Sequence, residues 1–446
     1  MPEEPPPHHR PPGPPPDSPS GPPHARLPRR PGAPRPAFGR GDTAFAAAPH
    51  AALARLRGAA PVHHIVLPDG SAAWLVTRDA DVRRWLSDPR LSHNKRHSRA
   101  GYRGFSLPPA LDANLLNSDP EDHIRLRRLV GKGFTPRHVA ALAPTVEATA
   151  RRCADALRHE IEAAAEPATE PETADLVTGF AAPLPLAVIG DLFALPEPDR
   201  RPFAGWVSTM ISPQRPEDVS ESVAAIHQYL TDLVAARRAT PGPADDLLSS
   251  LVAARDGSDQ LSEDELVSLA FLILGAGIEN VQHTLSAGML ALLREPDQLA
   301  ALRAERDALL PGAVEELLRH AHPNLMAIRR FTTEAVEIAG SHVPRGETVL
   351  LCLASANRDP ERYAEPDRFD IRRTDHGHHL ALGHGMHYCL GAPLARLQLR
   401  LALTALLDGL PSLALAAEEP RWSTSFRSHA LTRLAVTSAP SPGARP

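Results

Sequence analysis

Cysteine is nearly absent from this chain: 446 residues hold three, Cys153, Cys352 and Cys389. Their number and wide spacing exclude a secreted disulfide framework and a zinc cluster, and fit a reducing cytoplasm. Aromatic residues are also scarce, at 4%, although a 42% hydrophobic content suffices for a sizeable core. Charge of one sign is lacking too. A net charge of −5 excludes a general affinity for nucleic acid or acidic membranes. No apolar run opens the chain, so no signal peptide is expected. The longest apolar stretch, 266–278, is too short to span a bilayer and ends at Glu279. A soluble, cytoplasmic protein is the expectation.

Proline is what the chain has in excess, and residues 1–38 carry 16 of its 48. Such a segment cannot bury enough surface to offset the entropy of ordering, so it reads as a disordered tail. A docking site for a proline-recognising partner and a start codon placed too far upstream both account for it. Residues 438–446 read as a shorter tail of the same kind. Between the tails, 39–437 is dominated by helical periodicity, and no Gly- or Ser-rich break divides it. Short strand-like pieces stand at 63–67, 73–76, 336–338 and 348–353, with a hairpin-like pair at 413–416 and 434–436. One mainly α domain with small β-sheets is the predicted architecture.

The chemistry concentrates in 381–396. Gly383 and Gly385 make a low-bulk loop that ends at Cys389, and 390–407 reads as a helix with Leu394, Leu397, Leu401 and Leu406 on its apolar face. A cysteine at a helix N-terminus sees the positive end of the dipole and free N–H groups. Both favour the thiolate, the form that binds metals. Gly391 lets a flat ligand approach the backbone. An isolated cysteine beside such a turn is ordinarily a buried structural residue. Here the surrounding pattern, Gly383-x-Gly385-x-His387-x-Cys389-x-Gly391, resembles the haem-ligand loop of the cytochrome P450 family.

The resemblance covers about 39–437 and implies the P450 fold, with a long central helix over the haem. It implies haem b with Cys389 as axial iron ligand, and dioxygen activated with electrons from NAD(P)H through a ferredoxin and its reductase. Leu382 stands where the family usually has Phe, which bears on the tuning of the redox potential.

Ser262 and Glu265 form a capping box that starts a helix running to about Arg294, apolar nearly all round and therefore buried. At its centre lies Ala276-Gly277-Ile278-Glu279-Asn280. A helix-interior Gly costs about 1 kcal/mol against Ala. A buried Glu is costlier still unless paired or functional. A helix kink with Glu279 paired to an Arg would be the structural reason. The resemblance makes this stretch the oxygen-binding segment: small residues leave room for dioxygen, and the acid feeds a proton relay. There Asn280 replaces the family's usual Thr, whose hydroxyl serves oxygen activation. Three readings stay open: Asn280 substitutes for Thr, a substrate hydroxyl completes the relay, or the reaction is a radical coupling without oxygen insertion. Thr284, one turn on, is expected to lie too far from the iron to replace it.

Asp119 is a plausible N-cap for a helix in which His123 and Arg127, spaced i, i+4, can reach one anion. By the resemblance these two, with Arg330 and His387, take the haem propionates. Glu316 and Arg319 lie in a helix read over 311–320. The resemblance buries them with an arginine of a later loop, here Arg368, as a structural triad. It also assigns the pocket lid to 99–109, with Tyr102 and Phe105, and the pocket walls to 206–214, 271–278, 324–327 and 425–431. Ile278, Leu325, Met326 and Phe426 are the wall residues singled out. A largely apolar pocket suits a medium or large natural product, free or carrier-bound. The expected enzyme is a monomeric monooxygenase that hydroxylates or epoxidises a specialised metabolite. Oxidative C–C or C–N coupling is the alternative, and a non-enzymatic haem-binding protein the remotest reading.

Overall fold

The computed structural model describes residues 43–99, 101, 107–118, 120–164, 173–211, 215–240, 246–256 and 261–438. The proline-rich segment 1–38, Asp119 and most of the 99–109 stretch, including Tyr102 and Phe105, lie outside them.

The central helix is Glu263–Leu293, and it starts where its capping box requires. Glu265 N–H donates to Ser262 Oγ (3.1 Å) and Ser262 N–H donates to Glu265 Oε2 (2.7 Å), which satisfies two of the orphan donors of a helix end. By length and composition this helix could cross a membrane. It is instead the core element of a helical layer, packed against Pro183–Leu192, Arg306–Ala321 and Ala392–Gly409. Glycines set two of these approaches. A Cβ on Gly277 would fall 2.5 Å from Ile189 Cδ1, and one on Gly288 would fall 2.5 Å from Leu317 Cγ. One large apolar cluster runs through these helices, and two smaller ones lie around the sheets.

The main sheet has five strands in the order Val62–Val66, Ala72–Val76, Thr348–Leu351, Arg330–Thr332, Leu91–Ser92. The first two, expected only as separate strand-like pieces, form an antiparallel hairpin, and the third joins Ala72–Val76 in parallel. The last two strands are too short to show any periodicity in sequence. Their register matters for function, because Arg330 pairs with Val349 and Ser92 with Phe331. That pairing carries the residue after Ser92, His93, to the same end of the sheet as Arg330.

Three expectations are corrected. The pair at 413–416 and 434–436 is not a simple hairpin. Leu413–Leu415 and Ala435–Ser438 pair within a three-stranded sheet completed by Ala174–Asp175, while Arg421–Trp422 and Leu431–Arg433 form their own ribbon between them. Ser438 therefore ends a strand, in register with Leu413, rather than opening a tail. The helix read from Pro311 begins earlier, as Arg306–Ala321 with Pro311 inside it.

Candidate active site

The cysteine loop is closed by its own backbone. Gly383 (φ 75°) and Gly385 (φ 73°) both occupy the left-handed region, where a side chain is strained. At Gly385 there is no room either, since a Cβ would lie 2.5 Å from Ser87 Oγ. Gly383 N–H donates to Leu380 O (2.9 Å), Tyr388 N–H to Gly385 O (3.0 Å) and Cys389 N–H to Leu382 O (2.8 Å). The chain then enters the helix Ala392–Gly409 with Gly391 as its N-cap residue. Around Gly391 the space is open: a Cβ there would meet only Phe134, at 3.9 Å.

The helix end favours the Cys389 thiolate, as expected, but burial outweighs it. Burial is the largest influence and raises the thiol above its ordinary value, against the backbone N–H of Gly391 and the charges of Arg127 and Arg396. A metal ion bound there would supply a countercharge, because a coordinating thiol is deprotonated outright.

Beside the loop is a basic cluster that has no anionic partner among the described residues. His387 lies 4.2 Å, ring to ring, from His123 and 4.3 Å from His93. Arg330 is 3% exposed. It donates to the carbonyls of Trp85 (3.2 Å) and Leu86 (2.9 Å), but its buried Nε has no partner among the described residues. Burial alone pulls its pKa down to about 10, and no carboxylate opposes that. Both ring nitrogens of the buried His93 are likewise unpartnered. Burial, then its neighbours Arg330, His387 and His123, keep His93 well below the usual imidazole range, and His387 is pushed down to about 3 for related reasons. Buried donors with nothing to donate to fit a group that brings its own carboxylates, as the two propionates of haem would. The donor set therefore fits the cofactor that the loop implies.

His93 is a member of this cluster that sequence reasoning missed, because only the pairing of two very short strands brings it there. His123 needs a correction of detail. Its two ring nitrogens face the carbonyls of Leu115 (2.8 Å) and Met386 (3.0 Å), so an anion contact requires one of these to be exchanged. Arg127 lines a depression of about 580 Å³ with His123, Ile124, Arg128, Gly385 and Met386.

The central helix is a single element through Ala276–Asn280. Along the middle of this largely buried element, Ala276 and Asn280 are exposed, one turn apart on the same face. Gly277 is not part of that opening, because packing against Ile189 explains it; Ala276 is the small residue that leaves the space. Asn280 Nδ2 donates to Ala276 O (3.2 Å), and Asn280 Oδ1 accepts from Asn324 Nδ2 (2.8 Å). Thr284 is buried and donates its hydroxyl to Asn280 O (2.7 Å). Glu279 has no ion-pair or hydrogen-bond partner among the described residues, so the Arg pairing is not found. Burial raises its carboxyl to about 7. One turn on, His283 has a buried, unpartnered Nδ1 and is lowered to about 4 by burial.

The structural triad needs one substitution. Glu316 and Arg319 are fully buried and bidentate, at 2.7 and 2.8 Å. Arg319 also donates to the carbonyls of Asn357, Pro366 and Arg368. Arg368 contributes only that carbonyl, since its side chain pairs at the surface with Glu365. Arg373, 3.6 Å from Glu316, is the second arginine.

Of the four wall residues, Ile278, Leu325 and Met326 are buried in the core, whereas Phe426 is only partly buried. Ile278 is in the helical core, about 200° around the helix from Ala276. Leu325, Met326 and Phe426 pack with Phe45, Leu53 and Ile65 against the sheet. Asn324, adjacent to Leu325, is the residue of that segment that reaches the open helix face.

The cytochrome P450 family model matches residues 201–410. The chain is 43% identical over 372 residues to the cytochrome P450 monooxygenase PikC of Streptomyces venezuelae, covering 83% of this chain and 86% of that one. It is 39% identical to the mycinamicin IV hydroxylase/epoxidase of Micromonospora griseorubida, covering 81% and 89%. Among solved structures, the tirandamycin C-bound P450 monooxygenase TamI superposes with a TM-score of 0.80 at 39% identity, over 90% of this chain and 100% of that one.

Proposed function

The chain belongs to the cytochrome P450 family and is a P450 monooxygenase, and from that premise we propose that it hydroxylates or epoxidises an apolar natural product. The observation that carries the site assignment is the cysteine loop joined through His387 to a buried basic cluster that lacks an anion. Haem held by a cysteine thiolate supplies the dioxygen chemistry when bound. In hydroxylation, the substrate C–H, dioxygen, two electrons and two protons become the alcohol and one water. Cys389 would hold the iron. Arg330, His93, His387 and Arg127 would hold the propionates.

On the other side, Ala276 leaves space and Asn280 offers an N–H. Glu279 is placed to move protons, because a carboxyl titrating near 7 can both take and release one at neutral pH. The natural-product substrate is supported by the names of the relatives, one a mycinamicin hydroxylase/epoxidase and one seen with tirandamycin C bound.

Electrons would come from NAD(P)H through a separate ferredoxin and reductase in the cytoplasm. The surface near the cysteine suits an acidic ferredoxin. The large apolar side chains that stand exposed among the described residues are Ile124 and Tyr388. Ile124 shares its depression with Arg127 and Arg128, and Tyr388 precedes the cysteine and accepts a hydrogen bond from Arg396 (3.1 Å). The second reading, oxidative coupling without oxygen insertion, is favoured by Asn280 in place of a hydroxyl.

Optical titration of the ferric holoenzyme separates the two. Polyketide macrolides should shift the Soret band from low to high spin. A shift produced only by aromatic or indole-bearing peptides would overturn the hydroxylation reading in favour of coupling.

A further inference from the structure

We propose that Asn324 is a positioning residue for Asn280, fixing which end of its amide faces the open side of the central helix. This rests on the reading of that face as the dioxygen side. An asparagine amide has two N–H donors and one carbonyl oxygen. In Asn280 one N–H is given to Ala276 O (3.2 Å), and the oxygen accepts from Asn324 Nδ2 (2.8 Å). One N–H remains.

Turning the amide over would set its oxygen against the Ala276 carbonyl and its NH2 against the NH2 of Asn324. The first is a contact between like poles because a backbone carbonyl can only accept; the second arises while Asn324 keeps its own amide as observed, so the two residues fix the orientation together. Ala276 alone could be lost by rotation about the side chain, whereas Asn324 approaches from a separate segment and closes the clamp.

That segment is itself held firmly. Asn324 bridges to Ser428 in antiparallel fashion. On either side, Leu325 N–H donates to Arg427 O (2.9 Å), His429 N–H to Pro323 O (2.8 Å) and Ala327 N–H to Leu351 O (2.8 Å). The partner that orients Asn280 therefore sits on sheet-anchored backbone rather than on a loop tip. A threonine hydroxyl at this position could rotate between donating and accepting. The clamped amide presents a donor only, and the asparagine pair works as one unit that a single Asn in the helix would not be.

The test needs no substrate, because carbon monoxide on the reduced holoenzyme reports hydrogen-bond donors through its C–O stretch. The parent should give one narrow band. Asn324→Leu and Asn324→Ala should each broaden or split it into two bands, as the released amide samples both orientations. They should also raise hydrogen peroxide released per NAD(P)H several-fold with a ferredoxin system. In an Asn280→Thr background the same Asn324 substitutions should leave the stretch unchanged. An unsplit, unshifted band in both single variants would overturn the proposal. So would an equal change in the Asn280→Thr background. Loss of the thiolate-type absorption of the carbon monoxide complex in the parent itself would instead sink the haem-thiolate site assignment.

Discussion

The proposed proton relay rests on a single carboxyl. Glu279 rises from 4.5 to about 7 because it is buried without a partner. A carboxyl raised in this way binds its proton more tightly when folded, so the parent's stability falls as pH climbs from about 4.5 through about 7 and then levels off. Glu279→Gln removes that slope. The variant should match the parent near pH 4.5 and exceed it above pH 7, by on the order of 2–3 kcal/mol, while losing turnover. Urea unfolding of the holoenzyme at acid and alkaline pH checks this, and an equal difference at both ends would contradict it. Legibility at this scale depended on pattern. Cys389, His387 and Arg330 stand in a recognisable order, whereas His93 and Asn324 acquire their roles only from partners far along the chain. No local signal marks either one. Gly277 was legible as an anomaly, but its cause, the side chain of Ile189, was not.

At the scale of elements, the central helix announced itself completely: cap, apolar girth and end were all readable, because each arises from residues within a few turns. The two- and three-residue strands at Leu91–Ser92 and Arg330–Thr332 were not, since a period of two needs more residues than they contain. The segment that leads to the cysteine loop is fixed by the Glu316–Arg319 pair and its carbonyl contacts. Here the resemblance pointed to the wrong later arginine, because Arg368 and Arg373 lie in the same irregular stretch and only folding tells which points inward. Removing one partner of a fully buried ion pair costs about 3–5 kcal/mol. Arg319→Ala should therefore yield little haem-loaded protein. Arg373→Ala should lower stability measurably, and Arg368→Ala should change it by less than about 0.5 kcal/mol. Thermal unfolding of the three variants ranks them, and a destabilised Arg368→Ala with an unaffected Arg373→Ala would restore the original triad.

At the scale of the molecule, the helical layer and the sheets serve one arrangement. The sheet register sets Arg330 and His93 beside the cysteine loop, and the central helix carries Asn280 to the Asn324 segment. The cofactor fit rests on donors that the described residues leave unsatisfied, and the proposed reaction is tested by where the oxygen goes. The direct measurement is turnover of a spin-shifting substrate under isotopically labelled dioxygen, with mass spectrometry of the product. Monooxygenation predicts one labelled oxygen atom in each product molecule and the other in water. A product that has lost two hydrogens and carries no label would contradict it.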